Sequence, residues 1–220
     1  MRIMVVSPHP DDESLGAGGS LLKYKSEGHN IFWLNITDMK KEYGYHQEQI
    51  EKRNSEIETV QQEYKFDGFY NLKLKPTGLD EYKLGELIVL IKAVLDEVQP
   101  DRLILPYGHD VHSDHRIIFD AAYACTKSFR APYLKELYCM EIISETDQAE
   151  EAYTFHPNVY VNITEYIEKK IEILKNYKSE IKQSPYPRNE DAIKGLAALR
   201  GATAGYPYCE AFRLLKYYVE

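Results

Sequence analysis

Directly after a short apolar run the chain reads S-P-H-P-D-D-E-S from Ser7, so that His9, Asp11, Asp12 and Glu13 fall within five residues. A second cluster, Y-G-H-D-V-H-S-D-H from Tyr107 to His115, again follows an apolar run closed by proline (Asp101 to Pro106, D-R-L-I-L-P). Four of the chain's seven histidines lie in these two stretches. His9 and Asp12, three apart in a turn, can face one point. Brought together with His112 and His115, they form a set from which two imidazoles and a carboxylate can hold a divalent cation, with a fourth position left for water. This is a hydrolytic donor set, and it also suits non-haem iron. Taken singly the pieces have plainer readings: Asp11, Asp12 and Glu13 as carboxylates favoured at a helix start, Ser113 and Asp114 as helix caps. Two such loops, each directly after an apolar run, argue for a site.

The elements that must position these groups follow from the flanking pattern. Arg2 to Val6 (R-I-M-V-V) is short, β-branched and apolar, as a buried parallel strand should be, and Pro8 and Pro10 stop it. Asp101 to Pro106 repeats that design, so both clusters sit at strand carboxyl ends, where open α/β sheets bind ligands. Between them the spacing predicts a helix over Ser14 to Ser26 ended by Gly28, a strand over Asn30 to Thr37 and a helix around Gln47 to Tyr64. A strand over Asp67 to Leu74 and a helix over Leu79 to Val98 follow. Beyond the second cluster a helix is expected over Arg116 to Lys127, strands over Leu134 to Ile143 and Val159 to Ile163, and a helix over Thr164 to Lys178. Gln183 to Arg188 (Q-S-P-Y-P-R) reads as a loop. The alternation predicts an α/β fold, Rossmann-like, with a mainly parallel sheet and helices on both faces.

With 220 residues, 44% of them hydrophobic, one well-filled core suffices. A single domain over 1–220 is expected, with a motif-bearing core over 1–130 and residues 131–220 completing it. A net charge of -8 and a pI near 5.5 argue against a sequence-independent nucleic-acid binder, which needs cations against phosphates. Cys125, Cys139 and Cys209 are far apart and odd in number, so neither a disulfide framework nor a thiolate zinc site is indicated. No apolar run reaches the roughly 20 residues of a membrane span, and Met1 leads straight into strand-like sequence. A cytoplasmic protein acting on small molecules is the expectation, with no nucleic-acid or membrane partner.

The pairing of P-H-P-D-D-E-S with D-x-H-x-D-H (Asp110 to His115) resembles the LmbE-like, or PIG-L, family of zinc-dependent N-deacetylases. The R-x-x-E of Arg53 to Glu56 is similar to the family as well, and Glu210-Ala211-Phe212 is a fainter likeness. The resemblance implies a Rossmann-like fold and removal of acetyl groups from N-acetylglucosamine-type sugars or their conjugates. Acylated antibiotic sugars and thiol-sugar conjugates are alternative substrates, and a catalytically silent metal- and sugar-binding domain is the non-enzymatic one. By motif position it implies His9, Asp12 and His115 as zinc ligands, with Fe2+ an alternative, and Asp11 as the general base on the attacking water. His112 is then left to stabilise the oxyanion as an imidazolium, oriented by Asp114 or Asp110. Asp11, in its acid form, or His112 protonates the leaving amine. Retention of Asp11 disfavours the silent domain, since pure binding needs no base beside the metal.

Arg53 can donate paired hydrogen bonds to sugar hydroxyls or to an anionic aglycone, with Glu56 fixing its orientation. Glu13 is left as a helix-start carboxylate or a partner behind the ligands, and Gly16, Gly18 and Gly19 as packing residues. The loop Asp38 to His46 carries M-K-K-E-Y-G-Y, more basic and aromatic than the glycine- and acid-containing loop of the family's thiol-pathway members, so the resemblance leaves the acceptor open. The family also implies a tendency toward homo-oligomers.

Overall fold

The computed structural model describes residues 1–219. One seven-stranded sheet runs through it in the order β3-β2-β1-β4-β5-β7-β6. Its strands are β1 (Arg2–Ser7), β2 (Asn30–Thr37), β3 (Gly68–Leu74), β4 (Arg102–Leu105), β5 (Glu136–Met140), β6 (Val159–Asn162) and β7 (Cys209–Tyr217). The first five pair in parallel, whereas β7 runs antiparallel to both β5 and β6. The α/β class with a mostly parallel sheet is therefore what the chain forms.

The central strand β1 is buried on both faces, and its side chains alternate. Ile3 and Val5 pack with α1 (Asp12–Ser26), α2 (Gln47–Tyr64) and α5 (Ile167–Leu174), while Met4 and Val6 pack with α3 (Leu84–Val98) and α4 (Ser113–Cys125). This is the continuous apolar signature of a doubly covered strand. Because β2 lies on one side of β1 and β4 on the other, the connections diverge there. The loops after β1 and β4, which carry the two clusters, flank the crevice that this divergence opens.

Three departures from the expected elements have physical causes. The helix over Leu79 to Val98 begins only at Leu84, and Leu79–Glu81 forms a separate short 3-10 turn. The Asp114 carboxylate accepts the N–H groups of Thr77 (2.8 Å) and Leu79 (3.3 Å), tying that turn to the second cluster. The helix placed at Arg116 starts earlier, at Ser113, because the His112 side chain caps it by accepting the Asp114 N–H at 3.1 Å. Near the C-terminus, α6 (Glu190–Ala204) and the full strand β7 lie outside the expected elements. Asn189 caps α6 through the Ala192 N–H, a signal present in the sequence.

Glycines in α1 serve packing. A Cβ at Gly16 would stand 2.7 Å from Met140 Sδ, and one at Gly19 would stand 2.8 Å from Ile163 Cδ1. The close approach admits an unusual tie, in which the buried Glu210 on β7 accepts the Gly19 and Ser20 N–H groups at 2.8 and 2.7 Å. Lys170 of α5 donates to Glu210 at 2.7 Å and to the Leu15 carbonyl at 2.8 Å. The last strand is thus pinned to the helix that carries Asp12. Removing one partner of such a buried pair leaves an uncompensated charge. Glu210→Ala should lower stability by about 3–5 kcal/mol in urea unfolding, whereas Glu168→Ala, which breaks a surface pair with Lys194, should leave the midpoint nearly unmoved.

Candidate metal centre and active site

The loop after β1 is held by backbone and side-chain bonds at each turn. Ser7 accepts the buried Trp33 indole N–H at 2.5 Å, and the Pro8 carbonyl accepts both the Thr37 N–H (3.1 Å) and its hydroxyl (2.7 Å). The Pro10 carbonyl accepts Arg53 Nη1 at 3.0 Å. Asp11 follows with φ 138°, a conformation rarely adopted outside glycine, which costs on the order of 1–3 kcal/mol. Its N–H is received by Glu13 Oε2 at 3.1 Å, while Glu13 Oε1 accepts the hydroxyls of Ser14 (2.6 Å) and Tyr177 (2.8 Å). Glu13, fully buried, is the anchor of this strained turn. The turn then closes as His9 donates its N–H to Asp12 Oδ2 at 2.8 Å.

The result is convergence. Donor atoms of His9, Asp12 and His115 all lie within 4.8 Å of one another, and Asp12 and His115 are fully buried. Asp12 Oδ2 stands 3.5 Å from His9 Nδ1 and 3.3 Å from His115 Nε2. Asp12 Oδ1 and His115 Nε2 have no hydrogen-bond partner. Buried polar atoms are otherwise almost always satisfied, so these two orphans fit atoms reserved for a cation. His115 Nδ1 is bonded to Asp110 Oδ2 at 2.8 Å, which turns its other nitrogen toward Asp12, as metal-binding histidines are oriented. Burial works to raise Asp12, yet the facing His115 and His9 hold it well below the usual carboxylate range. Burial works against protonation of the imidazoles, but Asp114 and Asp12 pull His9 up to about 9, and Asp12 and Asp110 pull His115 up to about 10. The pocket's field demands positive charge.

His112 stands against the ligands, its ring 4.6 Å from that of His9 and 5.2 Å from that of His115. Its Nδ1 accepts the Asp114 N–H, so its proton belongs on Nε2. Burial, with His9 and His115 beside it, lowers it to about 4. With Nδ1 spent on the helix cap, Nε2 is the nitrogen left to donate. The two carboxylates expected to orient it are engaged elsewhere. Asp114 Oδ2 lies 3.0 Å from His9 Nε2 and Asp110 serves His115, so each fixes a ligand histidine.

A cavity of about 360 Å³ opens over His9, Asp11 and His112. On its far wall Arg188 donates to Asp11 Oδ2 at 2.6 Å through Nη1, to Glu145 Oε1 at 2.8 Å through Nη2 and to Ser144 Oγ at 2.8 Å through Nε. Burial pushes Asp11 up to about 8, with Arg188 pulling the other way. In the sequence Arg188 is only the end of a proline-containing loop, since nothing in its local spacing marks a partner 177 residues away. Tyr177, Glu145 and Glu180 escape notice for the same reason.

Arg53 also lines the cavity, but its guanidinium is already committed. Besides Pro10 it binds Ser179 Oγ at 2.9 Å and Glu180 Oε1 at 2.6 Å, and its Nε lies 3.2 Å from Glu56 Oε2. Both Arg53 and Glu56 are buried. The pair joins the first cluster's loop to the segment after α5, and the guanidinium is ion-paired with both Glu56 and Glu180.

Comparison with known proteins agrees with this architecture. Residues 4–126 match the model of the family described as PIG-L, GlcNAc-PI de-N-acetylase. A diacetylchitobiose deacetylase of Thermococcus kodakarensis is 24% identical over 97% of this chain and 83% of its own length. A probable N-acetyl-α-D-glucosaminyl L-malate deacetylase 2 of Bacillus cereus is 25% identical over 81% of this chain and 83% of its own. Among solved structures, the conserved protein TT1542 of Thermus thermophilus superposes with a TM-score of 0.79 at 24% identity, covering 99% of this chain and 96% of that one.

The Asp110–His115 bond leads to a measurable expectation. Asp110→Asn should weaken divalent-metal retention by roughly 10- to 100-fold, read by competition with a chromogenic chelator, without changing the far-UV circular dichroism. Unchanged retention would remove Asp110 as the orienting partner.

Proposed function

This chain belongs to the PIG-L family, and we propose that it is a zinc-dependent hydrolase that removes the acetyl group from an N-acetylated amino sugar or its conjugate, releasing acetate and a free amine. The observation that supports the reading is the pair of orphaned atoms, Asp12 Oδ1 and His115 Nε2, grouped with His9, which lines a cavity together with Asp11 and His112. His9, Asp12 and His115 would hold the metal. Bound there, a divalent cation would supply a Lewis acid that activates water and polarises the amide carbonyl. Zinc is favoured over iron because a carboxylate base and an N–H donor beside the ligands suit hydrolysis.

The chain's own groups divide the remaining work. Asp11, adjacent to Asp12 but turned toward the cavity and Arg188, accepts the proton of the attacking water. His112, with its proton on Nε2, donates a hydrogen bond to the carbonyl oxygen as charge develops there. The proton taken by Asp11 can then be returned to the departing nitrogen, giving the neutral amine. Asp110 and Asp114 keep His115 and His9 in orientation, and Glu13 holds the Asp11 backbone. Three free, buried cysteines support a reducing cytoplasm as the setting. Among the described residues no helix is long and apolar enough to cross a membrane.

The direct test is release of amine and acetate from N-acetylhexosamine glycosides, with and without chelator; chelator-insensitive turnover would end the metal reading. Asp11→Asn should keep its metal while losing about 10²- to 10⁴-fold in kcat. His112→Ala should lower kcat by about 10²-fold with a smaller change in KM, the pattern of a group acting in the transition state.

A further inference from the structure

We infer that the group attached to the sugar is uncharged, so that the substrate class is a neutral N-acetylhexosamine glycoside rather than a carboxylate- or phosphate-bearing conjugate; this rests on the deacetylase reading above. The inference comes from charges that line the cavity. Four carboxylates face it, on Asp11, Asp38, Glu145 and Glu180, against two guanidiniums, on Arg53 and Arg188. Each guanidinium is already ion-paired with two carboxylates, Arg188 with Asp11 and Glu145 and Arg53 with Glu56 and Glu180. Arg188 spends Nη1 on Asp11, Nη2 on Glu145 and Nε on Ser144. Arg53 spends its two Nη groups on Pro10, Ser179 and Glu180, and its Nε faces Glu56 at 3.2 Å.

The buried Asp38 accepts only neutral donors among the described residues, the Met39 N–H (2.8 Å) and the Asn71 amide (2.9 Å). No lysine lines the cavity among the described residues. Two neighbouring ones are engaged, Lys40 with Glu42 at 3.3 Å and Lys182 over the Tyr186 ring at 4.5 Å. The metal's charge would be spent at the acetamide end. An anionic aglycone would therefore enter a space whose guanidiniums are already paired and whose walls carry carboxylates, and like charges brought together this way are strongly disfavoured. The walls that remain suit a neutral sugar: half-buried Tyr45 and Tyr186 offer amphipathic ring faces, and about 360 Å³ falls in the range of small-molecule sites.

The test compares chelator-sensitive amine release from N,N'-diacetylchitobiose and from N-acetylglucosaminyl malate, from about 0.01 M to about 1 M salt, as the Debye length falls from about 30 Å to about 3 Å. The neutral substrate should lead by at least about tenfold in kcat/KM at low salt. The malate conjugate should gain as salt rises while the neutral substrate stays level, and Asp38→Asn should narrow the gap. An anionic conjugate cleaved as fast at low salt, or slowed by added salt, would overturn the inference and leave the deacetylase reading standing. So would an unchanged ratio in Asp38→Asn. No release from either substrate would overturn that reading and the inference with it.

Discussion

A carboxylate with no exposure to water is the constraint on which the rest depends. Asp12 sits at the first turn of α1, at the carboxyl end of the central strand, and an ionised group there is tenable only against positive charge. Two imidazoles supply part of that, each steadied from behind by another carboxylate, Asp114 for His9 and Asp110 for His115. Acidic and imidazole groups alternate outward from Asp12, and the arrangement leaves Asp12 Oδ1 and His115 Nε2 without a hydrogen-bond partner among the described residues. Selectivity for a cation is therefore a property of the fold around Asp12 as much as of the three side chains that would touch it.

The neighbouring residue is held by different means. Asp11 adopts a backbone conformation that must be stabilised from outside, and Glu13, Tyr177 and Arg53 together do so from three separate elements. Tyr177 also lies beneath the Arg53 guanidinium, 5.7 Å from ring to Cζ. One side of the loop thus presents the proposed ligand and the other the proposed base, although the two carboxylates are consecutive in the chain. Strain of this kind is stable only where the surroundings over-determine it.

The first two thirds of the chain are legible in the sequence because their signals are local. The apolar runs before Pro8 and Pro106, the periodicity of α3 and the paired clusters all sit within windows of a few residues, and the motifs carry a family likeness as well. What stays hidden depends on distance. Arg53 looks like a substrate-facing cation on a helix, and only tertiary structure brings Glu180 and Pro10 to it. His112 reads as a charged donor because a sequence does not reveal that the same imidazole caps α4. Arg188 carries no pattern at all. The glycines of α1 are legible as packing residues, though the partner that needs the room, β7, is not recognisable in its full length.

The tie between Glu210 and α1 also bears on when the site comes into being. Strand β7 completes the sheet between β5 and β6 and reaches back to the Gly19 and Ser20 N–H groups, while the segment just before α6 delivers Arg188 to Asp11. Both parts come later in the chain than the strands that carry the two clusters. A nascent chain that has already made β1 to α4, with every proposed ligand residue present, still lacks the strut behind its first helix and the cation beside Asp11. The site is thereby unfinished until β7 has been made, and a copy ended before that strand carries the motifs without the contacts that brace them.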